Sequence, residues 1–183
     1  MARVIVPLAQ GCEELEAITI VDLLRRAGIE VTTAGLDAQP VRAARGTVLI
    51  PDTTLDAAIE SEYDMIVLPG GLPGADHLRD DPRIIDLVRD MHASGRYTAA
   101  ICAAPRVLAK AGLLDNRRAT SFPGGIDIDD IPGIDYVEDA VVTDGKVVTS
   151  RGPGTAMDFA LQLIELLAGK AKRDEVEAPL QRP

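Results

Sequence analysis

One of the chain's two cysteines, Cys102, lies where an apolar run meets a helical pattern, in the stretch TAAICAAPRVLAKAG. Small residues, Ala100 and Ala104, stand two positions before and after it, and Pro105 suits the first turn of a helix. This pattern favours a nucleophile elbow, a tight strand-to-helix turn that holds a strained reactive residue, with a thiol pKa lowered by the helix start. The alternative is a buried cysteine that packs in an alanine-rich turn.

A glutamate interrupts the apolar face of the first predicted helix, residues 13–28. At 100° per residue, Glu16 projects into an apolar arc between Leu23 and Ala27. Burial would raise the pKa of such a carboxylate and favour a neutral acid that can donate a proton. Alternatively, Glu16 reaches solvent beyond the first turn. Leu15 and Ile18 lie on the polar side of this helix and indicate a self-association surface.

Two glycine-rich turns follow predicted strands, LPGGLPG at 68–74 and SRGPGT at 150–155. Their backbone N–H groups could converge on an anion, as in an oxyanion hole, or the glycines could serve the turns alone. Neither turn matches G-x-G-x-x-G and neither carries a Walker lysine, so a bound nucleotide is not supported.

The remaining titratable candidates have no motif around them. Cys12 precedes the first helix and either caps it weakly or packs there, and His77 and His92 are not placed beside Cys102 by any spacing. Two cysteines 90 positions apart form no disulfide framework or CxxC pair, and two histidines form no His-rich metal site. We therefore expect no cofactor and no metal, and a Cys–Glu pair fits the sequence better than Cys–His.

Composition and charge exclude several classes of function. The 183 residues suit a single domain, 46% are hydrophobic, and no apolar run approaches the ~18 residues of a membrane span. A net charge of −10 and the lack of tryptophan argue against nucleic acid as a partner. The start of the chain carries no basic leader, so we expect a cytoplasmic protein.

Strand and helix patterns alternate along the chain and predict an α/β fold, a mostly parallel sheet with helices on both faces. Predicted strands lie at 3–8, 30–36, 47–51, 63–71 and 97–102, with a hairpin at 140–150 whose type I′ turn is Asp144-Gly145. Further helices are predicted at 81–95, 104–112 and 155–169, and the tail 170–183 is expected to be mobile or docked on a partner. The Cys102 turn and the glycine turns follow strands, where ligands gather in such sheets.

Four stretches together resemble the ThiJ/PfpI superfamily, in its DJ-one branch and its YajL-like bacterial members. They are GCEELEAITIVDLLRRAGIEVTTAGL, YDMIVLPGGLPGADHL, AAICAAPRVLAKAGLL and VTSRGPGTAMDFALQLIELLAGK, which span most of the chain. The resemblance implies a flavodoxin-like, doubly wound single domain over 1–183 and a homodimer packed in part through the first helix.

The resemblance also implies roles for particular residues. Cys102 would be the elbow nucleophile and Glu16 the acid that hydrogen-bonds it. The groups stabilising an anion would be backbone N–H groups, those of Gly70, Gly71 and Ala103. Residues near the substrate and the dimer interface would be Arg26, Arg45 and Pro153. Phe122 stands where some members have a histidine, and Ala103 stands where the protease branch has one, so proteolysis is not expected.

The function implied by this resemblance is a cofactor-independent conversion of reactive dicarbonyls, methylglyoxal or glyoxal, or of their early glycation adducts, to hydroxy acids. Such activity is called glyoxalase III or deglycase. The rival is an oxidative-stress sensor or chaperone in which Cys102 is oxidised to a sulfinate without turnover. A third reading is a small-molecule binding module that keeps the elbow and has lost turnover.

Overall fold

A seven-stranded β-sheet forms the centre of the protein in the computed structural model, which describes residues 1–182. The described chain has eleven strands, of which seven form this sheet and the pairs β3–β4 and β8–β9 form two small ones. In chain order they are β1 (Arg3–Leu8), β2 (Glu30–Gly35), β3 (Val41–Arg42), β4 (Val48–Leu49), β5 (Thr53–Thr54), β6 (Met65–Leu68), β7 (Tyr97–Ile101), β8 (Arg118–Ala119), β9 (Asp135–Tyr136), β10 (Val141–Asp144) and β11 (Val147–Ser150).

Seven α-helices and three short 3₁₀-helices complete the described chain. The α-helices are α1 (Glu14–Arg26), α2 (Leu55–Ala58), α3 (Gly74–Asp80), α4 (Pro82–Ala93), α5 (Pro105–Lys110), α6 (Ala156–Ala168) and α7 (Lys170–Glu177). The 3₁₀-helices are Ile128–Asp130, Pro153–Thr155 and Ala178–Leu180. Within residues 1–182, no helix has both the length and the apolar character needed to cross a bilayer.

The strand order of the main sheet is β10-β11-β7-β6-β1-β2-β5, with every pair parallel except β10 and β11. The five principal parallel strands therefore run β2-β1-β6-β7-β11, which is the flavodoxin-like order 2-1-3-4-5. The chain changes winding direction between β1 and β6, and this places a switch point at their carboxyl ends. The predicted doubly wound α/β fold is confirmed.

Helices cover both faces of the sheet, because its strands are apolar on both sides. In β1, Val4 and Val6 belong to the core shared with α1 and α6, whereas Ile5 belongs to the core shared with α4 and α5. All three side chains are fully buried. This explains why the strand reads as a continuous apolar run rather than an alternating one.

Helix α1 lies against the sheet and α6, and its position determines where Glu16 goes. The Glu13 carboxylate accepts the Leu15 N–H at the helix start. Ile20 and Leu24 are fully buried on the inner face, each contributing about 1.5–3 kcal/mol relative to exposure. Glu16 lies on the same face one turn before Ile20. The helix therefore places its carboxylate near the carboxyl end of β6, where it contacts Gly70.

Two local predictions need correction. The hairpin pairs Asp144 with Val147, so its two-residue turn is Gly145-Lys146 rather than Asp144-Gly145. Gly145 has φ of 59°, and Lys146 is not among the residues with positive φ, which excludes the predicted type I′ turn. The predicted strand 47–51 contributes only Val48–Leu49, paired with β3 outside the main sheet.

The described part of the C-terminal tail packs against its own chain. Its helix α7 packs on α6, Val176 is buried, and Leu180 contacts the core below α1 and α6. Arg182 pairs with Asp158 of α6 at 2.5 Å. Pro183, the last residue of the predicted tail, lies outside the described residues.

Candidate active site

Cys102 occupies a strained turn directly after β7. Its φ is 63°, a left-handed conformation that costs a non-glycine residue about 1–2 kcal/mol. The turn is held on both sides, because the Cys102 N–H donates to Ser150 O at 3.0 Å and the Cys102 carbonyl accepts the Phe122 N–H at 2.9 Å. Pro105 then begins α5. Cys102 is buried, with 8% of the residue exposed.

Glu16 is fully buried beside this turn. Its Oε2 accepts the Gly70 N–H at 2.7 Å, and its Oε1 has no hydrogen-bond partner among the described residues. Burial raises the pKa of Glu16 to about 7, against the opposing effect of the Gly70 N–H and of the neighbouring Cys102 thiol. The carboxyl group therefore changes protonation near neutral pH, as an acid–base catalyst requires.

Gly70 lies between the two functional side chains, and no larger residue fits there. A Cβ on Gly70 would lie 2.6 Å from Cys102 Cβ and 2.8 Å from Glu16 Oε2. The prediction that Gly70 supplies an N–H to an oxyanion is wrong, because that N–H already binds the Glu16 carboxylate. Its role is to hold Glu16 against the elbow.

Two other backbone N–H groups do face the sulfur. Those of Gly71 and Ala103 act to lower the pKa of the Cys102 thiol, against the larger effects that raise it. Neither appears among the N–H groups that donate to turn and loop carbonyls in residues 1–182, so both are available to developing negative charge. Gly71 has φ of 86°, and a Cβ there would lie 2.3 Å from the Glu13 nitrogen.

The net effect on the thiol is opposite to the one predicted from the helix start. Burial, followed by the charge of Glu16 and a hydrogen bond to it, raises the pKa of Cys102 to about 12. Helix α5 has only six residues, and its effect does not offset a buried carboxylate next to the sulfur. At neutral pH the pair therefore carries a thiol beside an ionising carboxyl group, and the thiolate must form by proton transfer.

Both the sequence and the fold of this chain match one protein family. The sequence pattern of the DJ-1/PfpI family covers residues 2–166. This chain belongs to the DJ-1/PfpI family. It is similar to Protein dj-1beta of Drosophila melanogaster, with 45% identity over 174 residues, 94% of this chain and 92% of that protein. The crystal structure of Drosophila DJ-1beta gives a TM-score of 0.93 at 43% identity, covering all of this chain and 98% of the other.

Two further DJ-1/PfpI relatives bear on chemistry. The Glutathione-independent glyoxalase DJR-1.2 of Caenorhabditis elegans is 36% identical over 171 residues, 93% of this chain and 91% of the relative. The structure of oxidized Toxoplasma gondii DJ-1 gives a TM-score of 0.93 at 40% identity and covers 98% of each chain.

Of the three substrate-binding residues expected from the DJ-1/PfpI resemblance, one lies in a segment next to the thiol. Pro153 follows Gly152 at the carboxyl end of β11, and a Cβ on Gly152 would lie 4.0 Å from Cys102 Sγ. Arg26 ends α1, about 15 Å along the helix from Glu16, and pairs with Asp22, so within one chain it does not lie beside Glu16.

Arg45 lies in the loop between β3 and β4. Its backbone N–H donates to the Glu14 carboxylate at 3.0 Å, while its side chain is exposed. In one chain it therefore supports the start of α1 and makes no contact with Cys102.

Sequence reasoning missed Arg106, which joins three segments of the site. Its Nε donates to Ala103 O at 3.0 Å and to Gly125 O at 3.2 Å, and its Nη1 donates to Asp76 in α3 at 2.6 Å. The elbow, the loop that follows Phe122 and the helix that follows Gly71 are thereby connected. The available signal was its spacing, since the fourth residue after the cysteine lies one helical turn away.

Neither histidine belongs to the site. His92 is paired with Arg117 at 3.4 Å, and burial lowers its pKa. His77 lines a separate cavity of about 540 Å³ beyond the carboxyl ends of β1 and β2, whose lining does not include Cys102 or Glu16. Among residues 1–182 no cluster of acidic, cysteine and histidine side chains has metal-binding geometry.

Proposed function

We propose that this protein converts small α-oxoaldehydes such as methylglyoxal and glyoxal, free or as early glycation adducts, to hydroxy acids without a cofactor. The observation that carries the proposal is Cys102 in a strained elbow beside Glu16, a buried acid whose pKa is about 7. The glyoxalase name of the C. elegans relative supports the substrate class.

The first step is addition of the sulfur to the aldehyde carbon. As the C–S bond forms, the thiol proton moves to the Glu16 carboxylate, whose Oε1 has no other partner in the described chain. The carbonyl electrons move to the oxygen, and the N–H groups of Gly71 and Ala103 stabilise the negative charge near the sulfur. Protonation of that oxygen gives a hemithioacetal.

The second step is an internal redox exchange that needs no external oxidant. A base removes the hydrogen from the former aldehyde carbon, an enediol forms, and a proton returns to the neighbouring carbon. The aldehyde carbon is thereby oxidised to a thioester and the ketone carbon is reduced to an alcohol. Glu16 is the acid–base group placed to move these protons. Water then releases the hydroxy acid and restores the thiol.

Lactate formation from methylglyoxal in the absence of glutathione tests this proposal. We expect turnover by the wild-type protein, none by Cys102→Ala, and unchanged turnover by Cys12→Ala, which removes the other buried thiol. Turnover by Cys102→Ala equal to that of the wild type would refute the mechanism.

Glyoxalase and deglycase action differ in the species that binds. A fixed total of methylglyoxal is mixed with increasing N-acetylcysteine, which lowers the free aldehyde and raises the adduct. A rate that follows the free aldehyde assigns glyoxalase action, and a rate that follows the adduct assigns deglycase action.

The second candidate function is redox sensing at the same sulfur. Two equivalents of peroxide would convert the Cys102 thiolate to a sulfinate and release two waters, and protonated Glu16 could donate to a sulfinate oxygen. The unpartnered, buried Oε1 of Glu16 favours this candidate, and the T. gondii relative is described as oxidized. Intact mass after mild peroxide tests it: a gain of two oxygens in wild type and Cys12→Ser, absent from Cys102→Ser, supports the sensor.

A homodimer through α1 is part of the proposal. Leu15 and Ile18 are 51% and 50% exposed on the outer face of α1, and Val48 and Ile50 are 52% and 83% exposed on the adjoining β3–β4 segment. The Glu14 carboxylate accepts the Thr47 N–H and so joins that segment to the helix. Together these side chains form an apolar surface of the kind that a second copy can cover.

Light scattering on a sizing column tests the dimer. We expect Ile18→Asp to shift the mass from dimer to monomer, because a charge would be buried at the interface. Met157→Asp is the control, since Met157 is similarly exposed, at 43%, but belongs to α6 rather than α1. A monomeric wild-type protein would overturn this part of the proposal.

A further inference from the structure

A cavity of about 420 Å³ lies between helices α3 and α5 and the loop that follows Phe122. Its lining includes neither Cys102 nor Glu16, so it is separate from the candidate active site. Small-molecule pockets in proteins typically measure about 300–1,000 Å³. The cavity is therefore large enough for a small organic ligand that the proposed reaction does not use.

Charges of both signs line this cavity and are carried by different segments. The cations belong to helices, Arg79 to α3 and Arg106 and Lys110 to α5. The carboxylates of Asp127 and Asp130 belong to the loop and the 3₁₀-helix into which it leads. Within residues 1–182, Lys110, Asp127 and Asp130 form no salt bridge. The cavity thus holds opposite charges that do not pair with one another.

The three cations differ in the donors that they leave for a ligand. The Arg79 guanidinium is occupied, because Nε and Nη2 bind the Asp80 carboxylate and Nη1 lies 2.9 Å from Asp76. The Arg106 guanidinium uses Nε for two backbone carbonyls and Nη1 for Asp76, which leaves Nη2. The Lys110 ammonium is exposed and is not paired with any carboxylate of the described chain. The donors open to a ligand are therefore Arg106 Nη2 and Lys110 Nζ.

The other side chains of the lining are apolar. Ile131 is buried, and the half-buried Ala109 and Ile126 pack against the same core cluster. An anion alone in this cavity would be repelled by the two carboxylates, and a cation alone would be repelled by Lys110. A molecule that carries an ammonium group, a carboxylate and a hydrocarbon side chain complements all three kinds of surface.

We propose that this cavity binds a free α-amino acid with an apolar side chain. The carboxylate of the ligand contacts Lys110 Nζ and Arg106 Nη2. Its ammonium group contacts the carboxylates of Asp130 and Asp127, and its side chain packs on Ile131. The site does not depend on dicarbonyl chemistry at Cys102, so either proposal can fail without the other.

An NMR titration of isotope-labelled protein tests the site with three ligands. L-leucine carries both charges, L-leucinamide carries only the ammonium group, and N-acetyl-L-leucine carries only the carboxylate. We expect leucine to cause saturable shifts of the backbone amides in 124–127 and in α5. Each analogue is expected to bind about fivefold more weakly, because it lacks one ion pair.

Two variants test which charge of the ligand meets which side chain. Lys110→Met is expected to weaken leucine and N-acetyl-leucine about fivefold and to leave leucinamide unchanged, since leucinamide has no carboxylate to lose a partner. Asp130→Asn is expected to weaken leucine and leucinamide by a similar factor and to leave N-acetyl-leucine unchanged. This crossed pattern is specific to a bound zwitterion, because a general change in fold or net charge would affect all three ligands alike.

Matched controls remove the same charges outside the cavity. Lys146→Met removes an exposed ammonium group that lies over the Tyr97 ring, and Asp129→Asn removes the carboxylate next in sequence to Asp130. We expect both controls to bind the three ligands as the wild type does. The proposal would be overturned by a lack of saturable shifts with leucine, by an analogue that binds as tightly as leucine, or by variants that weaken all three ligands equally.

Discussion

Cys12 and Cys102 are both free, buried thiols whose pKa is raised to about 12. Their surroundings differ in the groups that could stabilise a thiolate. Around Cys12 the charges of Glu13, Glu14 and Glu16 all raise its pKa, and the opposing hydrogen bond comes from its own backbone. Cys102 has a left-handed backbone and N–H groups of two separate segments on its sulfur. Burial and pKa alone therefore do not separate the two thiols, whereas converging donors beside a proton acceptor do.

The largest test of this comparison is removal of each thiol. Cys102→Ala is expected to reduce glutathione-independent methylglyoxal turnover to the background rate, because the C–S bond cannot form. Cys12→Ala is expected to keep the activity, since the Cys12 thiol forms no bond in the mechanism and the substitution leaves in place the Cys12 backbone that lies against Gly71. Loss of activity in both variants with unchanged melting temperatures would remove the distinction between the two thiols.

Glu16→Gln is the next largest change. It keeps the size of the side chain and removes its proton transfer, and we expect kcat to fall by about 10²–10⁴-fold. In the wild type, kcat/KM rises as pH increases through about 7, because the carboxylate accepts the thiol proton. Initial rates between pH 5 and 9 should show this limb in the wild type and not in Glu16→Gln. A pH profile shared by both proteins would assign the proton transfer to another group.

Glu16 also gives the folded protein a defined pH dependence. Its pKa is raised from 4.5 to about 7, so the folded state binds more protons than the unfolded state between those values. The contribution of this group to stability is complete below pH 4.5 and is lost as pH rises to 7, a loss of about 3 kcal/mol. Urea unfolding of wild type and Glu16→Gln at pH 5 and pH 8 measures it, with the variant becoming relatively more stable at the higher pH.

The smallest expected effect concerns Arg106, whose side chain hydrogen-bonds to backbone carbonyls on both sides of the Cys102 turn. Arg106→Ala removes its hydrogen bonds to Ala103 and Gly125, and we expect kcat to fall about tenfold with little change in KM. Arg79→Ala is the matched control, because Arg79 also pairs with Asp76, at 2.9 Å, and does not touch the elbow. Equal effects of the two variants would show that the Asp76 pair, not the elbow contact, matters.

Elements with a full hydrophobic period were predictable from the sequence. Strand β1 and helices α1, α4 and α6 lie where their patterns indicate, because each buries a stripe or run long enough to define its period. The bounds of short strands and the type of tight turn were not predictable from the sequence. The β3–β4 pair and the Gly145-Lys146 turn depend on register with a partner strand, which a single segment does not contain.

The same division applies to the site. Cys102 and Glu16 stand out locally, one among small residues at a strand end and the other on an apolar helix face. The use of the Gly70 N–H depends on Glu16, which is 54 positions away in the chain. The direction of the Cys102 pKa shift likewise depends on burial and on that distant carboxylate, so no local pattern could give it.

Three non-glycine residues of the described chain have positive φ: Cys102, Asn116 and Gln181. Asn116 and Gln181 are exposed, and asparagine tolerates this conformation. Cys102 alone of the three is buried, at a position where glycine would be the conformationally relaxed choice. A sequence-design calculation that minimises backbone strain on this fold would therefore choose glycine at position 102 and not the native cysteine. The disagreement between such a calculation and the natural sequence offers a way to find reactive residues in related folds without any knowledge of their substrates.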